Sequence, residues 1–98
     1  MNQWIYVLRP VRAGLAITPT AEEDAAVERH FARLQSLLAA GRLIVAGRTL
    51  EDSPFGIVIF EAGTEAEARS IMETDPAVQE GVMTAVLHPY RVALRRDG

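Results

Sequence analysis

Short β-branched and aromatic runs alternate along the chain with longer stretches in which apolar residues recur every three or four positions. Residues 4–8, 43–49, 55–61 and 82–94 carry the first pattern and read as strands. Val27, Phe31, Leu34 and Leu38 carry the second and read as the inner stripe of a helix. Thr20 and Glu23 stand at capping-box spacing at its start, and Gly41 supplies its stop. The same box recurs at Thr64 and Glu67 and opens a second helix through Ala68, Ile71 and Met72. The order β-α-β-β-α-β predicts an α+β chain, a ferredoxin-like sandwich in which one antiparallel sheet carries two helices on one face. Glu51-Asp52-Ser53-Pro54 makes the turn between the middle strands, and residues 11–19, with Gly14 and Pro19, form a loop long enough to wall a pocket. No break in composition divides residues 1–98, so the chain is read as a single domain.

The strands are apolar on both sides. Phe55, Ile57 and Ile59 point one way and Val58 and Phe60 the other; Val82, Val86, Tyr90 and Val92 oppose Met83, Ala85 and Leu87. A sheet with one solvated face alternates apolar with polar. Two helices cover one face and no chain is left for the other, which predicts a homodimer packed sheet to sheet. If Val58 and Phe60 meet the partner, Ile57 and Ile59 form the helix-packed core.

Composition then narrows the chemistry. The chain has no cysteine and no lysine, which excludes thiolate nucleophiles, thiolate metal sites, disulfides and lysine Schiff bases. Its net charge is −3 and its ten basic residues are scattered arginines, a poor footprint for nucleic acid. No apolar stretch approaches the ~20 residues of a membrane span, and the cysteine-free composition fits the cytoplasm. No phosphate-binding glycine loop and no ligand pair at metal spacing occur, so neither cofactor nor metal is expected.

Histidine is left as the group best suited to moving protons near neutrality. His30 lies three residues after Val27 and four before Leu34, on the apolar stripe of the first helix. It is either a general acid or base or a core histidine bonded to a backbone carbonyl. Asp75 precedes Pro76, the arrangement of an N-cap aspartate with proline at the first helical position, and the same carboxylate can orient an imidazole. His88, beside Pro89 in the last strand, is either a pocket wall or an interface residue. Arg9 and Arg48 flank strands expected to be neighbours and could clamp an anionic substrate, and Tyr6 and Trp4 could line an aromatic pocket or fill the core.

The ordered set His30 with Leu34, Gly41-Arg42-Leu43, Ala46-Gly47, Asp75-Pro76, Gly81-Val82 and His88-Pro89-Tyr90 resembles the YCII-related (YciI-like) family of the dimeric α/β barrel superfamily. The likeness runs from the first helix to the last strand. It departs where the family helix continues His-Leu and this chain has His30-Phe31, and in the short segment of residues 50–54. The resemblance implies a ferredoxin-like protomer, a homodimer, and a pocket in which His30 and Asp75 do acid–base work on a small molecule. Some relatives are associated with transformation of substituted aromatic rings, and other families on the same barrel include cofactor-free oxygenases and a lactone isomerase. Two readings follow: a cofactor-independent enzyme acting on a small, aromatic or lactone-like molecule, or a noncatalytic dimeric module that binds or senses one.

Overall fold

The computed structural model, which describes residues 2–96, arranges the chain as β1 (Asn2–Pro10), α1 (Ala21–Ala39), β2 (Leu43–Arg48), β3 (Gly56–Ala62), α2 (Glu65–Glu73), α3 (Pro76–Gln79) and β4 (Met83–Tyr90). The four strands form one antiparallel sheet of order β2-β3-β1-β4. This is the ferredoxin-like α+β order with one addition, the single turn α3 that Asp75 and Pro76 start.

Local chemistry sets the ends of α1. The Thr20 hydroxyl accepts the Glu23 N–H at 3.1 Å while the Glu23 carboxylate accepts the Thr20 N–H at 2.8 Å. At the other end Gly41 takes φ 75°, and the N–H groups of Gly41 and Arg42 return to the carbonyls of Leu38 and Leu37. That pair of bonds is the Schellman ending, which needs the left-handed residue glycine supplies. The start of α2 is simpler than its sequence predicts. Thr64 accepts the Glu67 N–H, but the Glu67 carboxylate turns away to Arg42 and the box stays half closed.

β4 ends at Tyr90, short of residue 94. Gln3 is the β1 residue opposite Tyr90, so the chain beyond has run past the paired end of its neighbour. Val92 donates to the Gln3 side chain instead of to a strand.

Register decides which side of each strand is core. Tyr6 stands opposite Val58 and Leu87, and Trp4 opposite Phe60 and Pro89. Trp4, Tyr6, Leu8, Val58 and Phe60 are buried together with Leu34 of α1 and Ala68 and Met72 of α2. The assignment that sent Val58 and Phe60 to a partner is therefore reversed: both lie under the helices, and Ile57 and Ile59 belong to the other face. Period-two alternation separates two faces without saying which one a helix covers.

The inner stripe of α1 is also rotated from its sequence reading. Phe31 is 60% exposed and Leu38 59%, while Ala26 and Leu34 are buried and His30 and Leu37 half-buried. Each residue advances about 100° around a helix, so centring the face on Ala26, His30 and Leu34 carries Phe31 to its margin. The uncovered sheet face shows Ile5, Val7, Val45, Ile57, Val86 and Tyr90, a largely apolar surface broken by His88. Val45 and Val86 are about half exposed.

Candidate active site

Three elements bring three side chains together. α1 carries His30 on its inner face, β1 carries Tyr6 on the helix side of the sheet, and the junction between α2 and α3 delivers Asp75. Asp75 is extended at φ −60°, ψ 126°, caps α3, and is followed by Pro76 in the first turn, where a missing N–H costs nothing. The junction is tied to α1 by arginines one turn apart. Arg33 donates to the Thr74 carbonyl at 3.0 Å and to its hydroxyl at 3.1 Å, and Arg29 pairs with Glu80.

Capping and orientation prove to be one arrangement. Asp75 Oδ1 accepts the Ala77 N–H at 2.9 Å, Oδ2 accepts the Tyr6 hydroxyl at 2.6 Å, and His30 Nδ1 lies 2.8 Å from both oxygens. Asp75 is fully buried and His30 keeps 13% of its side chain exposed. Burial opposes ionisation of Asp75, but hydrogen bonds from His30 and Tyr6, the His30 charge and the Ala77 N–H outweigh it and hold the carboxyl below its ordinary range. The Tyr6 phenol moves the opposite way, pushed far up by burial, then by the charge and hydrogen bond of Asp75, with Arg33 opposing. An ionised carboxylate only accepts, so Nδ1 must carry a hydrogen and Nε2 is the nitrogen left to exchange protons. Among the described residues no buried side-chain nitrogen or oxygen lacks a partner.

His30 opens onto a cavity of about 480 Å³. Leu8, Leu15, Leu34, Val58 and Met83 give it apolar walls, with Phe31 at the side; Asp24 and Arg48 are its other charged groups. The loop of residues 11–19 is one wall, as its length predicts, through Leu15, Ala16 and Pro19. Arg12 pins it, donating to Glu23 at 3.0 and 2.6 Å and to the Thr18 carbonyl at 2.7 Å. The Arg12 bonds and the Thr20 N–H draw the Glu23 carboxyl down to about 2, so the pin stays ionised at any ordinary pH.

The expected binding residues fall on different sides. Arg48 lines the cavity and makes no ion pair among the described residues. Tyr6 does not reach it, being fully buried with its hydroxyl on Asp75. Arg9 lies across the sheet, its guanidinium 5.1 Å above the Phe55 ring, and His88 stands opposite Ile5 on the uncovered face. β3 runs between β1 and β2, so the strands of Arg9 and Arg48 are not neighbours. Trp4 is a core residue, its indole N–H donated to the Ala62 carbonyl at 3.2 Å. Asp24 is an addition to the expected set; it stands three residues before Val27, which stands four before Phe31, and that spacing is the signal that places the three along one helix row. Among the described residues no three His, Cys, Asp or Glu side chains gather as a metal site.

A family model for the YCII-related domain matches residues 5–87. No curated protein matches the chain. Among solved structures, the 5-chloro-2-hydroxyhydroquinone dehydrochlorinase TftG from Burkholderia phenoliruptrix AC1100, in complex with 2,5-dihydroxybenzoquinone, is similar over 90% of this chain and 93% of its own. The two are 23% identical with a TM-score of 0.66. A proposed monooxygenase from Shewanella loihica PV-4 aligns over 97% of this chain and 99% of its own, at 13% identity and a TM-score of 0.45. The first likeness shows a shared fold.

Proposed function

The chain belongs to the YCII-related domain family, and from that premise we propose that it is a cofactor-independent enzyme in which His30 moves a proton on a small, aromatic or lactone-like molecule. One observation carries the reading. Among the described residues the only polar contact of the His30 ring is a buried carboxylate on Nδ1, which leaves Nε2 free on a ring that lines an apolar cavity large enough for a single-ring compound. The 2,5-dihydroxybenzoquinone bound by the similar TftG is such a ring, with acidic hydroxyls beside carbonyls.

Nε2 would take a proton from a carbon or hydroxyl next to a carbonyl, and Asp75 would stabilise the imidazolium that results. The imidazolium would then return the proton at a second position or to a leaving group. Apolar walls keep water from levelling the charge on the pair. Arg48, free of other ion pairs among the described residues, would hold the anionic oxygen that develops as the proton leaves. Incubating the protein in D2O with a panel of phenols, hydroxyquinones and lactones tests the reading. Deuterium should enter at the acidic position of at least one compound, and compounds that bind without exchange across the panel would leave the noncatalytic binding module in its place. Arg48→Met should weaken binding of 2,5-dihydroxybenzoquinone, followed by its absorbance, at least about tenfold, the loss expected of one charge-assisted hydrogen bond. Unchanged affinity would remove Arg48 from the site.

The same proposal includes a homodimer through the uncovered sheet face. A stable interface buries more than roughly 1,000 Å² in total, and a face spanning four strands offers area of that order. Ile57→Asp should yield a folded monomer by sedimentation, because Ile57 lies on that face. Phe60→Asp, in the core, should instead unfold the chain. A wild-type monomer at micromolar concentration would end the dimer reading. No described helix is long and apolar enough to cross a membrane, and we place the protein in the cytoplasm.

A further inference from the structure

Tyr6 lies behind the site and touches nothing in the cavity, yet its hydroxyl makes one of the short bonds of the cluster, 2.6 Å to Asp75 Oδ2. The ring is locked. It is fully buried and meets the Phe60 ring edge-on at 5.6 Å, so the hydroxyl has one direction in which to point. Burying a hydroxyl without a partner is costly, and packing alone would be served as well by phenylalanine. The hydroxyl is therefore there for the carboxylate.

When the Asp75 and His30 pair holds its extra proton, that proton has two places to sit. On Nδ1 it leaves carboxylate and imidazolium; on the carboxyl it leaves a neutral acid and a neutral ring whose hydrogen is then on Nε2. Only the first form presents a charged N–H to the cavity while keeping Nδ1 occupied. A fully buried carboxylate favours the second form unless donors hold its charge. Ala77 N–H supplies one donor on Oδ1 and Tyr6 the other on Oδ2.

We propose that Tyr6 is a positioning residue that keeps the shared proton on His30 and off Asp75, so that Nε2 alone exchanges protons with whatever fills the cavity. The proposal rests on the reading of His30 and Asp75 as the reacting pair. Tyr6 does not itself donate in the reaction: its phenol is held far above its ordinary range by burial and by Asp75.

Nuclear magnetic resonance of ¹⁵N-histidine and ¹³C-aspartate labelled protein tests this without a substrate. In a His88→Gln background His30 is the one remaining histidine. There the Nδ1 resonance should stay that of a protonated nitrogen throughout an acid titration, with Nε2 alone moving. In Tyr6→Phe the Nδ1 resonance should move as well, and the Asp75 carboxyl carbon should shift toward its protonated value. Phe60→Leu, which loosens the ring and keeps the hydroxyl, should follow the background. Superimposable titrations of Tyr6→Phe and the background overturn the proposal, as does the same change in Phe60→Leu, which would trace the effect to packing. If Tyr6→Phe fails to fold, 3-fluorotyrosine incorporated in a Tyr90→Phe background makes Tyr6 a stronger donor. The Asp75 carboxyl carbon should then hold its ionised value further into acid than with ordinary tyrosine, and superimposable acid titrations overturn the proposal. A background protein whose His30 carries its hydrogen on Nε2 would defeat the underlying reading of the pair too, whereas a correct background with an unresponsive Tyr6→Phe defeats this proposal alone.

Discussion

His30→Asn is expected to fold like the wild type and to lose about 10²–10⁴-fold of its catalysed proton exchange, the loss typical of a deleted general acid or base. The substitution is chosen for geometry. The amide nitrogen of asparagine falls where Nδ1 stood, so Asp75 keeps a donor and no buried carboxylate is stranded. Nothing replaces Nε2, the atom assigned to the chemistry. Thermal melts within a few degrees of wild type, with deuterium exchange reduced by that factor on whichever panel compound responds, meet the expectation. Equal exchange in both proteins would take His30 out of the mechanism and leave it a core histidine.

Asp75→Ala is expected to be the most destabilising single change in the site, at about 3–5 kcal/mol, the range found when one member of a buried, bonded pair is removed. Loss of the α3 cap accounts for about 1 kcal/mol of it. The rest comes from stranding the Tyr6 hydroxyl and His30 Nδ1, neither of which has another partner among the described residues. Asp75→Asn should cost less, since its carbonyl oxygen can accept from Tyr6 or from Ala77. It should still abolish exchange, because an amide N–H facing Nδ1 forces the ring hydrogen onto Nε2. The sign of the pH dependence follows from the lowered Asp75 carboxyl. Its contribution is fully present above the unfolded carboxylate range and is lost as pH falls through the folded value. Urea melts of wild type and Asp75→Ala should therefore differ most near neutrality and converge in strong acid; a gap that persists there would show that packing, and not the charge, was lost.

What the chain discloses by itself is mostly local. Thr20 with Glu23 and Gly41 bound α1 because caps are short-range chemistry, readable within four residues. The apolar character of both strand faces is visible for the same reason. The identity of each face is not, since Val58 and Ile57 differ only in which way a helix happens to cross, and that is set by pairing between distant residues, such as Tyr6 with Val58, 52 positions apart. Strand order is likewise non-local: β3 between β1 and β2 is what parts Arg9 from Arg48. His30 and Asp75 could each be nominated from their neighbours in sequence. Their meeting depends on Arg33 and Thr74 closing α1 onto the α2 and α3 junction, contacts that no local pattern announces. Tyr6 was legible as an aromatic on a strand and illegible as a donor to Asp75, because the partner lies 69 residues away.

The loop wall of the cavity and the His30 and Asp75 pair hang from separate supports. Arg12 fastens residues 11–19 to the first turn of α1 through Glu23, while His30, Asp75 and Tyr6 are secured two turns further on by β1 and the α2 and α3 junction. Residues 13 and 15–17 should thus be exchangeable without disturbing His30, Asp75 and Tyr6, provided Arg12, Gly14 and Glu23 remain. A side chain at Gly14 would strike the Arg12 guanidinium, so a library randomised across Ala13, Leu15, Ala16 and Ile17 with Gly14 kept is where new molecular preferences should be sought.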